Sequence, residues 1–233
     1  GICKIIPPLS AAVPGSTVLL EQGPFSFTTR QQVVRKPVLS SLDKLQFFAS
    51  GKTYSIVNYE KAANEFSYRR YNMASGLPAR FVEAEYWREW HGGANLCVEY
   101  GNDVEGSAFS CEEWDPLAAS RWNFKSLPVE QGSILRHLQV AIPGITAPML
   151  YIGMLFSTFG WHVEDQYMHS INFHHYGAPK TWYGVPSSHA DRFEEVVMDQ
   201  VYSGTKEARS LPRCEYAKEA VKAIAGKATM FPP

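Results

Sequence analysis

The sequence predicts a β-rich core decorated by helices, on three observations. Short apolar runs of strand length occur at residues 96–100, 149–156, 168–174 and 180–185. Elsewhere, at 58–69, 79–91 and 193–201, apolar residues recur at helical spacing. The chain has 233 residues, of which 45% are apolar and 13% aromatic, enough to bury a substantial core.

In chain order, residues 9–57 mix small, polar and apolar side chains without sustained periodicity, which predicts loops and short strands. Over 58–69 the positions Tyr59, Ala62, Ala63 and Phe66 share one helical face. A second helix fits 79–91, with Phe81, Val82, Tyr86, Trp87 and Trp90 as its apolar stripe and Gly92-Gly93 as its stop. Both stripes read most simply as core. Gly153, inside the 149–156 run, predicts a bulge or a close backbone approach. After Pro186, the residues Phe193, Val196, Val197 and Val201 mark a last helix, with Ser188 and Asp191 spaced as a capping box. There is no internal repeat and no low-complexity tract.

The 22 basic and 23 acidic side chains nearly cancel, so the totals do not predict sequence-independent binding to nucleic acid or anionic membrane. Cys3, Cys97, Cys111 and Cys214 are widely separated and form no C-x-x-C pair, which argues against a disulfide framework and a self-contained zinc site. No apolar run approaches the roughly 20 residues that span a bilayer. The chain opens at Gly1 without a methionine and stops abruptly at Pro233, so it is expected to be a segment of something longer.

The stretch that carries chemistry is Gly160-Trp161-His162-Val163-Glu164-Asp165, followed by Ser170-Ile171-Asn172 and by Pro179-Lys180-Thr181-Trp182. In extended backbone, residues two apart project to the same side, so the His162 imidazole and the Glu164 carboxylate can converge on one metal ion. They supply two of the three groups in a 2-His-1-carboxylate site, which leaves adjacent positions open on a non-haem iron(II). Alone, H-x-E discriminates poorly in a chain with 7 histidines and 23 acids. Lys180 adds weight, because a 2-oxo acid on iron carries a distal carboxylate that needs a cation in a low-dielectric pocket. Its bland alternative is a surface lysine. The other histidines, including His174 and His175, are assigned to no metal, since adjacent strand residues face opposite sides.

The run from Pro148 through Asp165, continued by Ser170-Ile171-Asn172 and by Lys180-Thr181-Trp182-Tyr183-Gly184-Val185-Pro186, resembles the JmjC histone lysine demethylases. The opening residues, Gly1 to Pro8, resemble the end of the JmjN segment of one branch, and the whole is most similar to plant-type members. The resemblance implies a double-stranded β-helix, the jelly-roll of the cupin type, with helices outside and its last strands beyond this chain. It divides the sequence into residues 1–12 as the end of a JmjN-like segment, 13–95 as linker and helical region, and 96–233 as the JmjC domain. It implies His162 and Glu164 as iron(II) ligands. It makes Lys180 and Tyr100 the partners of the distal carboxylate of 2-oxoglutarate, Phe159 the aromatic packed along that co-substrate, and Asn172 a polar neighbour of both. Tyr151 and Gly144 would line the methylammonium pocket.

The implied activity is iron(II)- and 2-oxoglutarate-dependent hydroxylation of N-methyl groups with dioxygen, releasing formaldehyde. This route needs no nitrogen lone pair, so trimethyl-lysine is an allowed substrate. The implied partners are the histone H3 tail, at lysine 27 or lysine 9, and chromatin, and the implied location is the nucleus, in transcriptional regulation. DNA contact is expected only through regions outside this chain. The family's third iron ligand is a histidine on a later strand, in a context that does not occur here, so this segment alone is expected to hold iron poorly and to be inactive. Three other readings stay open: a JmjC protein hydroxylase, a non-catalytic chromatin-binding module, and a cupin-type metal enzyme of another class such as an isomerase.

Overall fold

The sheet is built around a strand that the amino-acid pattern hides. In a computed structural model describing residues 2–35, 47–93 and 96–200, strands β1 (Ser26–Val34), β2 (Phe48–Ser55), β3 (Leu96–Glu105) and β4 (Met149–Gly153) form one antiparallel sheet in the order β2-β1-β3-β4. It thus takes strands from both sides of residues 94–95. The buried positions of β1 are Phe27, Thr29, Gln32 and Val34. Two of these are polar, and the inward phase switches from odd to even numbers near Arg30, where the β1–β2 register also shifts. A bulge of this kind reverses a period-2 signal, which is why no alternation was legible there. Thr29 donates to Glu99 Oε2 at 2.7 Å, and the Gln32 side chain is bound at both ends by the Thr158 backbone.

Among the described residues four α-helices accompany the sheet: α1 (Gly15–Glu21), α2 (Ile56–Tyr71), α3 (Ala79–Gly92) and α4 (Ala190–Gln200). α2 starts at Ser55, whose hydroxyl accepts the Asn58 N–H at 3.2 Å, and ends at Asn72 in the left-handed region. Its expected stripe faces inward, with Tyr59 and Ala63 buried and Phe66 packed on the core. α3 buries Val82, Tyr86 and Trp90 and stops at Gly93, whose φ of 67° favours glycine. Tyr59 packs edge-on against Phe27 at 5.3 Å between ring centroids, and Tyr86 meets Phe156 at 6.0 Å, so helices and sheet share one aromatic core. The mainly β architecture with peripheral helices is the class the sequence predicts.

Several local expectations need correction. Residues 168–174 and 180–185 are not strands, because among the described residues no neighbouring strand offers them a ladder. The 149–156 run ends as a strand at Gly153, and Phe156 turns the chain with a φ of 70°. Gly153 pairs in register with Tyr100, and the irregularity lies opposite it, in β3 between Gly101 and Val104. The close approach is at Gly101, where a Cβ would sit 2.8 Å from the Phe27 ring. Ser188 does not cap α4; its hydroxyl contacts the His189 ring at 3.1 Å within a 3-10 turn that leads directly into the helix. In α4, Val197 is buried and Phe193 packs on Trp161 at 4.9 Å. Val201 and Cys214 lie outside the described residues.

The segment after β4 is irregular yet wholly buried from Met154 to Thr158. Several of its polar groups have defined partners. Ser157 Oγ accepts the Met154 N–H and donates to the Glu99 carbonyl, both at 2.9 Å, while Tyr59 donates to that same carbonyl at 2.6 Å. Gln32 donates to the Thr158 carbonyl at 2.7 Å and accepts the Thr158 N–H at 2.8 Å. Replacing Gln32 with Leu strands two buried backbone groups, each worth about 1–3 kcal/mol. Gln32→Leu should therefore lower unfolding stability by about 2 kcal/mol or more in chemical denaturation, whereas Gln31→Leu, one position away, should leave it near wild type.

Candidate functional site

Beyond the clamped Thr158, the chain delivers Phe159, His162 and Glu164 to the surface next to β4. His162 Nε2 and Glu164 Oε1 lie 3.6 Å apart, and both side chains are about half exposed. His162 Nδ1 sits 2.9 Å from the Gly160 carbonyl oxygen. A carbonyl can only accept, so the ring proton belongs on Nδ1 and the Nε2 lone pair is left facing Glu164. Two groups of metal-binding type thus share one side of the chain, as the spacing predicted. Among the described residues no third His, Cys, Asp or Glu joins them.

Beside this pair stands a partly buried ammonium. Lys180 Nζ lies 5.5 Å from the ring centroid of Tyr151 and 5.4 Å from those of Phe159 and Trp182. The faces of aromatic rings favour a cation, but weakly compared with a carboxylate. Among the described residues no carboxylate lies within ion-pair distance of Lys180. Burial accordingly depresses its pKa from 10.5 to about 8. Phe159 links the two halves of the site, packing on Trp182 at 4.8 Å and on the His162 ring at 6.3 Å.

Tyr100 and Tyr151 complete the wall. Their rings are 6.4 Å apart on neighbouring strands, and the Tyr151 hydroxyl donates to Asp103 Oδ1 at 2.9 Å. Burial, followed by the Asp103 carboxylate, raises the Tyr151 pKa; burial also raises that of Tyr100, so both phenols stay protonated donors at neutral pH. Tyr100, Tyr151, Phe159, His162, Glu164 and Lys180 are therefore brought together. Asn172 is exposed and makes no hydrogen bond among the described residues. Gly144 sits in the turn before β4, donating to the Ala147 carbonyl at 2.8 Å with a φ of 78°.

Sequence reasoning missed the part of Trp182, although it stood inside a quoted motif, and that of Asp103. The two-residue spacing of Lys180 and Trp182 was the available signal for the first. The bland reading of the other histidines holds for His175, which packs on Phe109 and Phe173 at 4.6 and 4.8 Å, and which burial holds neutral with a pKa of about 4.

Residues 149–222 match the family described as JmjC domain, hydroxylase. The whole chain is 48% identical, over 234 aligned positions, to lysine-specific demethylase JMJ706 of Oryza sativa subsp. japonica. The chain belongs to the JmjC family. Over 84% of its length it is 34% identical to lysine-specific demethylase REF6 of Arabidopsis thaliana, and over 65% it is 38% identical to lysine-specific demethylase 5D of Homo sapiens. The chain spans about a quarter of JMJ706, 27% of its length, and 17% and 11% of the other two. The JmjC match covers β4, the His162–Glu164 segment and Lys180, which are most of the residues that form the site.

The partly buried Lys180 makes a pH prediction. The folded chain releases this proton near pH 8, while the unfolded chain holds it up to about 10.5, so between those values the unfolded state binds more protons. Stability from this group therefore rises with pH across that window and is lowest below it. Lys180→Met should raise the thermal midpoint at pH 7 and flatten its rise between pH 8 and 10, as followed by calorimetry.

Proposed function

We propose that the protein containing this chain is an iron(II)- and 2-oxoglutarate-dependent histone lysine demethylase acting on the H3 tail, with trimethylated lysine 27 or lysine 9 as its substrate. The observation that carries this reading is the largely enclosed ammonium of Lys180, set among aromatic rings beside an accessible His–Glu pair and, among the described residues, facing no carboxylate. An unneutralised, partly buried cation next to two metal-type ligands fits a dicarboxylate bound at one end to a metal.

On this reading His162 Nε2 and the Glu164 carboxylate hold the iron, and the hydrogen bond from Nδ1 to Gly160 fixes the tautomer that presents Nε2. Lys180 and the protonated Tyr100 hydroxyl take the distal carboxylate of 2-oxoglutarate, Phe159 packs along its carbon chain, and Asn172 lies near both groups. Iron(II) with 2-oxoglutarate and dioxygen supplies the oxidation of an N-methyl carbon, which leaves as formaldehyde. Tyr151, with its proton committed to Asp103, turns hydroxyl lone pairs and a ring face toward a methylammonium, and Gly144 lines the same pocket without a side chain. Residues 1–12 are read as the end of a JmjN-like segment, and the setting as chromatin in the nucleus.

The full-length protein should bind iron(II) and 2-oxoglutarate and release formaldehyde from a trimethyl-lysine H3 peptide. His162→Ala and Glu164→Ala should abolish metal binding and formaldehyde release. Lys180→Ala should raise the KM for 2-oxoglutarate roughly 30-fold or more, the cost of unpairing a buried charge. A hydroxylated peptide with no formaldehyde would establish a protein hydroxylase instead. Binding of neither iron nor 2-oxoglutarate would leave a chromatin-binding module.

A further inference from the structure

Lys180 and Trp182 face the site from a segment that belongs to no strand among the described residues, so side-chain contacts contribute to its placement. The next residue, Tyr183, turns the other way, onto α3. Its hydroxyl donates to Glu83 Oε1 and accepts the Trp87 Nε1–H at 3.1 Å, and its ring meets that of Trp87 edge-on at 6.1 Å. Glu83 and Trp87 stand one helical turn apart on the same face of α3. That helix is pinned to the core by Val82, Tyr86 and Trp90. A continuous path therefore runs from the core through α3 and Tyr183 to Trp182 and Lys180. It bypasses the sheet. Thr181 and Gly184 make no hydrogen bond among the described residues, Ala178 forms an isolated β-bridge, and Gly184 lies against the Ile2 side chain.

Resting on the 2-oxoglutarate reading above, we propose that Tyr183 is a positioning residue for the co-substrate: clasped by Glu83 and Trp87, it holds Lys180 and Trp182 against Phe159, so that the ammonium awaits the distal carboxylate in place. The phenol touches no reacting group and acts through Lys180 alone. Its effect falls on co-substrate affinity and leaves the chemical step untouched, because a looser ammonium weakens the ground state and the transition state equally. Half-buried and hydrogen-bonded at both lone-pair and proton sides, Tyr183 is also distinguishable from a packing aromatic: a phenylalanine keeps the ring and loses only the clasp.

The test uses the full-length protein and two readouts. Calorimetric titration of 2-oxoglutarate with manganese(II) in place of iron measures affinity without turnover, and competitive acetylation of Lys180 read by mass spectrometry measures how firmly the lysine is held. Tyr183→Phe is expected to weaken 2-oxoglutarate binding about tenfold, the loss of one to two hydrogen bonds, and to increase Lys180 acetylation. The kcat at saturating co-substrate and the KM for the peptide should be unchanged. Glu83→Gln, which keeps an acceptor oxygen, should behave as wild type, and Glu83→Ala should behave as Tyr183→Phe. A Tyr183→Phe protein with wild-type affinity and wild-type Lys180 labelling, even with a lowered thermal midpoint, would overturn the proposal and leave Tyr183 a packing residue. Failure of the wild-type protein to bind 2-oxoglutarate would overturn the co-substrate role itself, and Lys180 labelling would then report separately whether Tyr183 holds the lysine.

Discussion

The Gln32 carboxamide closes two hydrogen bonds on the Thr158 backbone across 126 positions of chain, and the geometry of the site depends on that closure. Residues 154–158 are buried but belong to no strand or helix, so their N–H and C=O groups cannot be satisfied by a ladder. Side chains hold several of them: Gln32 of β1 takes both backbone groups of Thr158, and Ser157 takes the Met154 N–H while bridging to the Glu99 carbonyl of β3, which Tyr59 of α2 also engages. Each unmade bond in such a place costs more than each made bond contributes, which gives the turn one well-defined shape. Phe159 begins where this turn ends. The direction in which His162 and Glu164 leave the core is set by groups that take no part in their chemistry.

Two lysines of this chain show how differently the same charge can be placed. Lys52 lies on the open face of the sheet and is paired with Glu99. Burial works against that carboxylate, yet hydrogen bonds from Lys52, Thr29 and Tyr54 hold its pKa below the usual value. Lys180 lies among three rings and meets no carboxylate among the described residues, and burial depresses its pKa. The first arrangement is complete in itself. The second is destabilising as it stands and is relieved by any ligand that brings a negative charge, which is the usual signature of a binding position inside an otherwise consistent fold.

The long helices α2 and α3 were the legible part of this fold, whereas α1 falls where loops and short strands were expected. α2 and α3 carry full apolar stripes with a hydroxyl before one and glycines after the other, and local physics alone fixes such segments. Strands were legible only where apolar residues crowd a short run, as in the first half of β3 and in β4. β1 escaped because Thr29 and Gln32 point inward to make hydrogen bonds, so the polar residues stood where a pattern search expects apolar ones. The strands expected at 168–174 and 180–185 failed for the opposite reason: strand-like composition is a statement about side chains, whereas a strand exists only where another strand lies beside it.

The amino-acid sequence by itself determined which residues have the chemistry: a histidine and a glutamate two apart, a lysine downstream in aromatic company, and a match in residue order to the JmjC family. Those properties are local or comparative and need no coordinates. Only the tertiary structure decided that Tyr100 and Tyr151 from paired strands, Phe159 from a clamped turn and Lys180 from an unpaired segment close on one another. It alone shows that Trp182, Asp103 and Tyr183 belong to the same construction. The reason is physical: a ring over an ammonium, or a phenol held by a helix, is a contact between distant parts of the chain. Its existence depends on the sheet register and the packing of α3, neither of which is written in the spacing of the residues that meet.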